Sequence, residues 1–461
     1  MSDAKNAKFS LNFMTNKQRT KVLFAEADSS FTDVLISFLT LPLGTIIRIL
    51  KQHYGEEASA PVFGCLNTLY NGLSNLDVNY FWTEGCKEML LNPISSFEAE
   101  YRKLKLDINE TMPAEYFICE SPKCGRKYPK ILHMKSVYYD TATCVCGAIM
   151  TRNVVTNKEC QADVNCGGVF TVSTESFVIS DDLRVFPNTR GFTQTLRNLG
   201  ITNMDLGELR HVTFGFSEIM DLLKGSLLSR TPLTDIILGK RKMEYYDVKI
   251  KSEPGILCHE IDKEENSYSK KMILKVMVQK STNKFLFAQS NEDFVDFLCS
   301  LPAIPLGGVE YLLGSNSCFT CVSNLYRSVA DNIDYKYLET LKIRLTKPRL
   351  VHGYMSENQI LPLREESFTP TYCAEFSSVK FLQGQGKYVQ GSTMYNITDD
   401  LTVTPYCIET EIPSSDIKEL EFEIGFEEGL SILKASVTTT SALTNSLKIN
   451  PIIKKEPKQE P

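Results

Sequence analysis

The sequence predicts an α+β fold built from two related units in tandem. Three observations lead to this prediction. Short strand patterns stand beside amphipathic helix patterns, the two types do not alternate as in a parallel sheet, and long blocks of sequence occur twice. The 461 residues are 43% hydrophobic and 23% charged, which is an ordinary globular composition with enough apolar material for sizeable cores.

The first repeated block opens each unit. Residues 21–44, KVLFAEADSSFTDVLISFLTLPLG, match residues 284–307, KFLFAQSNEDFVDFLCSLPAIPLG. CLNTLY and CVSNLY follow at corresponding places. The matched positions include Phe31 and Phe294, Asp33 and Asp296, Pro42 and Pro305, and Cys65 and Cys321. The period is too long for a solenoid, so we expect two similar domains packed together.

A second repeated block closes each unit in the same order. FVISDDLRVFP from Phe177 matches YNITDDLTVTP from Tyr395, and a helix pattern from Gly215 matches one from Gly425. The predicted organisation is a first unit at 8–238, a charged linker at 239–269, a second unit at 270–447 and a disordered tail at 448–461.

Local patterns predict how each unit begins. KFSLNFMT and KVLFAEA are strand-like and are separated by the polar turn NKQRT, which indicates a β-hairpin. SSFTDVLISFL then places apolar residues at helical spacing. We expect Ser29 or Ser30 to cap this helix, and Pro42 and Gly44 to end it.

A second hairpin and helix are predicted near the end of the unit. Asp181 and Asp182 stand where STESFVISDDLRVFP must turn, and FSEIMDLLKGSLL follows as an amphipathic helix. This aspartate pair and its counterpart, Asp399 and Asp400, could hold a metal or act in acid–base chemistry, but turn formation is the simpler explanation. Cys65 and Cys321 could likewise be nucleophiles, yet small buried residues are the usual explanation.

Four cysteines of the first unit form two tight pairs. Cys119 and Cys124 precede Gly125, and Cys144 and Cys146 precede Gly147. Structural zinc takes four tetrahedral ligands, two from each of two turns, and a glycine after the second cysteine permits the positive φ of such a turn. The sequence therefore predicts a zinc-ribbon-like segment at about 116–170.

Alternatives to this ligand set stay open. Cys160, Cys166 or His133 could replace a proposed ligand, and the cysteines could instead be plain reduced core residues or redox-active thiols. The second unit lacks this insert, which favours a local stabilising role for zinc over a shared catalytic one.

Charge and hydropathy restrict the classes of partner and compartment. The net charge of −6 disfavours nucleic acid as a partner. The longest apolar stretch, VLISFLTLPLGTIIRIL, is interrupted by Pro42, Gly44 and Arg48, so no membrane span is expected. With no signal-peptide pattern at the N-terminus, we expect a cytoplasmic or nuclear protein with reduced thiols. Lys251 in IKSE and Lys454 in IKKE match the acceptor pattern of a small ubiquitin-like modifier, although charged linkers match it by chance.

The repeated motifs resemble one plant family over nearly the whole chain. They are the opening strand, the LFAEA hairpin, the F-x-D helix ending in LPLG, CLNTLY, the hairpin containing TDDL, and the helix near the end of each unit. The family is catalogued as a plant domain of unknown function, number six-seven-four. The resemblance implies a plant source and no particular activity, and the cysteine pairs look like that family's pattern.

Two functional hypotheses follow. The duplication and the lack of a recognisable catalytic motif favour a non-enzymatic binding or scaffold protein with a protein partner. The alternative is an enzyme of unknown reaction with its site between the two units, where pockets are common.

Overall fold

The structure is a computed structural model of the chain. It describes residues 6–55, 63–111, 116–121, 147–154, 168–171, 176–188, 192–202, 206–239, 270–314, 319–332, 339–351, 354–365, 387–391, 393–406 and 414–449. Helices accompany antiparallel sheets, so the predicted mixture of α and β structure is confirmed.

The first half of the described chain, residues 6–239, contains a five-stranded sheet, a two-stranded antiparallel sheet and eight α-helices. Its strands are β1 (Phe9–Asn16), β2 (Val22–Asp28), β3 (Tyr116–Cys119), β4 (Met150–Val154), β5 (Ser176–Ser180), β6 (Val185–Pro187) and β7 (Leu206–Phe214). Its helices are α1 (Ser29–Ser37), α2 (Leu43–Tyr54), α3 (Gly64–Asn75), α4 (Glu84–Leu91), α5 (Glu98–Tyr101), α6 (Phe192–Leu199), α7 (Phe216–Leu228) and α8 (Pro232–Ile237).

The second half, residues 270–449, contains a second five-stranded sheet and six helices within its described residues. Its strands are β8 (Met272–Gln279), β9 (Phe285–Ser290), β10 (Tyr395–Ile397), β11 (Val403–Pro405) and β12 (Ile417–Ile424). Its helices are α9 (Glu292–Ser300), α10 (Leu306–Leu313), α11 (Thr320–Arg327), α12 (Glu339–Thr346), α13 (Phe426–Thr438) and α14 (Ala442–Ser446).

The two large sheets have the same strand order. The first runs β6-β5-β2-β1-β7 and the second runs β11-β10-β9-β8-β12, and every neighbouring pair is antiparallel. The predicted opening hairpins are therefore β1–β2 and β8–β9. The last strand of each sheet in sequence lies at an edge. The edge strand β7 leads directly into the long helix α7, and β12 leads directly into α13.

The opening helix of each half is capped by the residue before it. Asp28 Oδ1 accepts the N–H of Phe31 at 2.9 Å, and Asn291 Oδ1 accepts the N–H of Asp293 at 3.3 Å. The sequence-based choice of Ser29 or Ser30 as the cap is wrong, because the helix already includes both serines and the Asp28 carboxylate reaches the free amide. Gly44 does not end the helix either, since it lies inside α2.

The helix near the end of each half begins at a glycine held by a glutamate. Glu218 Oε2 accepts the N–H of Gly215 at 2.8 Å, and Glu428 Oε2 accepts the N–H of Gly425 at 3.0 Å. Each carboxylate satisfies a backbone donor at the helix start and also favours the positive end of the helix dipole. The predicted helix from Gly215 is confirmed as α7.

One continuous hydrophobic core runs through both halves of the described chain. Phe31 illustrates its packing, because its ring meets those of Phe9 and Phe214 edge to face at centroid distances of 5.7 and 5.8 Å. A separate small cluster covers the opposite face of the first sheet, where Leu196 of α6 packs on Phe24 and Val178. The described core is thus shared by both halves, and α6 covers the outer face of the first sheet.

Candidate functional site

Backbone hydrogen bonds join the halves at two equivalent prolines. Pro42 and Pro305 form an antiparallel bridge. The N–H of Leu43 donates to the carbonyl of Ile304 at 2.9 Å, and the N–H of Leu306 donates to that of Leu41 at 2.9 Å. Since each bond repeats the other with the halves exchanged, this contact has local twofold character.

The halves also exchange a helix. Helix α3 of the first half packs against α13 of the second, and α11 of the second packs against α7 of the first. The Cys65 thiol donates to the carbonyl of Thr439 at 3.0 Å, and the Cys321 thiol donates to that of Ser229 at 3.2 Å. These are corresponding residues in the two halves, so the sequence repeat has a counterpart in the contacts.

Both of these thiols are buried and poorly suited to nucleophilic chemistry. Burial raises the pKa of Cys65 to about 12 and raises that of Cys321 further. A thiol with so high a pKa stays protonated at neutral pH, and the thiolate is the reactive form. The interpretation of the two cysteines as small core residues agrees with their exposures of 1% and 0%.

The entry to α3 is a close backbone contact between the halves. Gly64 has φ +28, and a Cβ built on it would lie 2.3 Å from the carbonyl oxygen of Thr439. The preceding residue, Phe63, meets its counterpart Phe319 edge to face at 5.7 Å. Glycine is required here because the two backbones come too close for any side chain.

Asp33 and Asp296 are buried carboxylates at equivalent positions. Asp33 accepts the N–H of Val169 at 2.6 Å and that of Phe170 at 2.9 Å. Asp296 accepts the N–H of Tyr388 and the Ser356 hydroxyl. Burial raises the pKa of Asp33 to about 6, although its donors favour the charged form. Asp33 thus holds Val169 and Phe170 against α1, and Asp296 holds Ser356 and Tyr388 against α9.

Asp181 and Asp399 form a second equivalent pair, at the turn of the predicted second hairpin. Asp181 accepts the N–H and hydroxyl of Thr234 at 2.8 and 2.7 Å, and Asp399 accepts those of Thr444 at the same two distances. Burial raises the pKa of Asp181 to about 6. These aspartates therefore bind the turn to the start of α8 or α14, which supports the structural interpretation of the motif.

A pocket of about 380 Å³ lies beside α2 in the first half. Its polar lining comes from Arg48, Gln52, His53, Asn109 and Glu110. Its apolar lining comes from Ile49, Ile108, Phe216 and Met220. We call it the Arg48 pocket. The pocket lies between the C-terminal part of α2, the loop at 107–111 and the start of α7.

The Arg48 guanidinium is held without a carboxylate partner in the described chain. Its Nη2 donates to Asn109 Oδ1 at 2.5 Å, and its Nη1 donates weakly to Gln52 Oε1 at 3.4 Å. Its Nε is buried and has no hydrogen-bond acceptor among the described residues. The carboxylate of Asp221 on α7 accepts the Tyr54 hydroxyl at 2.5 Å. Arg48 is therefore a lining cation that no described carboxylate pairs with.

The described part of the second half differs from the first at the position of Arg48. Tyr311 occupies the position that corresponds to Arg48, and α10 ends at Leu313, whereas α2 continues to Tyr54. The sequence contained a signal for this site, namely a single arginine in the apolar run LGTIIRIL. Sequence reasoning used Arg48 only to argue against a membrane span.

The structure describes one of the four predicted zinc ligands. Cys119 ends β3, is 7% exposed and pairs in register with Met150 of β4. The other three predicted ligands lie outside the described residues, as do the alternative ligands: Cys124, Cys144 and Cys146, then His133, Cys160 and Cys166. Gly147, directly after the second pair, has φ +82, as the proposed turn requires.

The remaining sequence-based candidates can be placed only in part. Lys251 and Lys454 lie outside the described residues. Within the described ranges, no group of three or more His, Cys, Asp or Glu side chains could hold a metal ion. No helix in that part of the chain is long and apolar enough to cross a membrane.

The described residues define a class of protein: two α+β halves of equal strand order, each of which packs a helix against the other half, with a polar pocket in the first half. The chain belongs to the family described as Protein of unknown function (DUF674), whose model matches residues 5–412. No curated protein and no solved structure matches it.

Proposed function

We propose that the protein is a non-enzymatic binding protein, a scaffold made of two duplicated units at 8–238 and 270–447. The observation that carries the proposal is the reciprocal exchange of α3 and α11, with matched thiol–carbonyl bonds at Cys65 and Cys321. Equal strand order and equal positions of the buried aspartates support the duplication. Because each half packs a helix against the other, we expect the two halves to move as one rigid body that presents a surface on each side.

The outer edge strands are the surfaces we assign to a protein partner. β7 is exposed along most of its length and β12 along half of it, and Leu209 of β7 is 63% exposed. On β12, Glu419 and Glu423 pair across the strands with Lys275 and Lys271, while charged side chains keep the edge from aggregating. A partner would bind through backbone pairing or through this charge pattern.

Affinity purification from an extract of the source organism tests the scaffold proposal. We expect a specific protein with the wild type and its loss with Glu421→Lys/Glu423→Lys on β12. The matched control is Glu84→Lys/Glu88→Lys, which changes two exposed charges on α4 and should keep the partner. Equal capture by all three proteins, or none above background, contradicts the proposal.

The alternative is an enzyme with its site between the halves. The described interface offers it little support, because it is filled by apolar side chains and by thiols that donate to carbonyls. Incubating the protein with a small-molecule extract and following every metabolite by mass spectrometry separates the two functions. Turnover by the wild type that disappears in Cys65→Ser/Cys321→Ser would favour the enzyme.

We also propose a structural zinc ion held by Cys119, Cys124, Cys144 and Cys146. The pairing of β3 with β4 and the positive φ of Gly147 support two converging turns. Elemental analysis should find about one zinc per chain in the wild type, none in Cys119→Ser and the full amount in the control Cys86→Ser. Zinc retained by Cys119→Ser but lost in Cys160→Ser, Cys166→Ser or His133→Asn would move the site to the alternative ligands.

The proposed compartment is the cytoplasm or the nucleus, with Lys251 and Lys454 as modifier acceptors. Fluorescence microscopy of a tagged full-length chain tests the compartment. An in vitro conjugation assay should give two modified species with the wild type, one with either single Lys→Arg variant and none with both. Unchanged products in the double variant would remove the acceptor proposal.

A further inference from the structure

We infer that the Arg48 pocket binds a small monocarboxylate with an apolar body. This function goes beyond the scaffold proposal and does not depend on it. Arg48 lines the pocket, and its guanidinium has no carboxylate partner among the described residues, so its positive charge is available to a ligand there. A carboxylate oxygen is the acceptor that matches a guanidinium edge best, because two parallel N–H groups can meet its two oxygens.

The loop opposite α2 holds the guanidinium in place. Asn109 Oδ1 accepts from Arg48, and its Nδ2 donates to Thr111 Oγ1 at 3.3 Å, which fixes the orientation of the amide. Asp107 accepts the N–H groups of Asn109 and Thr111 at 2.9 and 2.7 Å and so secures the loop. The guanidinium is therefore positioned in advance, which lowers the entropic cost of binding.

The rest of the pocket selects the body of the ligand. Ile49 and Ile108 are 5% exposed and Met220 is 1% exposed, so they form a well-supported apolar wall. Phe216 packs edge to face with His53 at 5.5 Å and extends this wall towards α7. A volume of about 380 Å³ is at the small end of ligand pockets, which suits an aliphatic or aromatic acid of modest size.

The lining restricts the charge of the ligand. Arg48 is the one lysine or arginine among the lining residues, so it can match a single negative charge, and a second would have no such cation to meet. This argues for a monocarboxylate over inorganic phosphate or a dicarboxylate. Because Tyr311 replaces Arg48 in the second half, we expect one ligand per chain.

Isothermal titration calorimetry of the full chain tests the inference. The probes are hexanoate and 4-phenylbutyrate, their primary amides as uncharged matches, and inorganic phosphate. We expect one carboxylate per chain to bind, and the amides and phosphate to bind at least about tenfold more weakly, as loss of a charge-assisted hydrogen bond implies.

Three variants make the test specific. Arg48→Gln should weaken carboxylate binding by about tenfold or more, while Arg210→Gln, an equal charge loss on β7, should leave it within about twofold. Gln52→Trp keeps Arg48 and places a large ring at an exposed position on the pocket rim, so it should also weaken binding. Thermal unfolding without ligand checks that each variant is folded.

Several results would overturn the inference. They are no carboxylate binding by the wild type in the millimolar range, equal binding of acids and amides, or phosphate bound more tightly than both acids. Unchanged affinity in both Arg48→Gln and Gln52→Trp would do the same. Neither the edge-strand variants nor the zinc variants alter the Arg48 pocket, so failure of the scaffold proposal would leave this result unaffected.

Discussion

The two halves of the molecule share the residues that hold the fold together and differ at Arg48, the cation of the proposed ligand site. Cys65 and Cys321 make the same thiol–carbonyl bond, and Asp181 and Asp399 accept the hydroxyl of a threonine in α8 or α14 at the same distance. The position of Arg48, in contrast, holds tyrosine in the second half. The shared residues thus account for architecture, and the unshared arginine is the better guide to a site.

A second difference concerns the outer face of the sheets. In the first half, Leu196 of α6 covers Met14, Phe24 and Val178. Between β11 and β12, the helical residues that the structure describes are the short 3₁₀ helix Ser414–Asp416. Within the described residues, the Arg48 pocket and the covering helix α6 both lie in the first half.

Separating the halves should have the largest effect on stability, because α3 and α11 each pack against the other half. Residues 1–239 alone lose the partner of α3, and residues 270–461 alone lose the partner of α11. We expect neither fragment to show a cooperative unfolding transition by circular dichroism, since each would expose core that the other half covers.

A nicked full-length chain is the control for that experiment. A protease site inserted in the predicted linker at 239–269 cuts one peptide bond and leaves the exchanged helices in place. The nicked protein should elute as one particle from a sizing column until denaturant is added. A cooperative transition in either isolated fragment would contradict the interlocking of the halves.

Gly64→Ala should destabilise the chain by about 2–4 kcal/mol, because its Cβ would overlap the backbone of Thr439. The control is Thr320→Ala at the corresponding position of α11, which is exposed and should change stability by at most about 0.5 kcal/mol. Urea unfolding measures both. Equal losses of stability in the two variants would contradict the close contact of Gly64 with the Thr439 backbone.

The pH dependence of stability should show the smallest effect. Asp33 and Asp181 have pKa values raised to about 6, so between pH 4.5 and 6.5 the folded chain retains protons that the unfolded chain has released. The free energy of unfolding should therefore fall as pH rises through this window, by about 1–2 kcal/mol per group, and level off above it.

Urea midpoints at pH 4.5, 5.5 and 6.5 measure this slope in the wild type and in Asp181→Asn. The asparagine variant cannot titrate at this position, so its stability should fall less steeply across the window. It should also be less stable than the wild type at each pH, because its amide N–H₂ would face a donor of Thr234. An unchanged slope would show that Asp181 does not titrate in this range.

The sequence predicted the elements of the fold better than their assembly. Alternating apolar residues indicated the β1–β2 hairpin, and helical spacing indicated α1 and α7, because both patterns are local. The cap was misplaced by one or two residues, since aspartate and serine both favour that position. The exchange of α3 and α11 could not be predicted, because an apolar stripe shows which face is buried and not which helix covers it.

The pocket was missed for a related reason. Arg48 lies far from Asn109 and Phe216 in sequence, and only the folded chain brings them to one place. A solitary arginine within an apolar helix was the available signal, and it pointed to a polar environment without specifying its shape. For the predicted zinc site, spacing along the chain remains the main argument, with Cys119 the sole ligand that the structure describes.

The exchange of helices also sets an order for biosynthesis. Helix α3 emerges from the ribosome early, yet the α13 surface that buries Cys65 is made more than three hundred residues later, at 426–438. The nascent first half must therefore wait with an uncovered apolar helix, at a translation rate of about 5–20 residues per second. Over that interval of tens of seconds, the face of α3 that packs against α13 in the folded chain has no cover from α13.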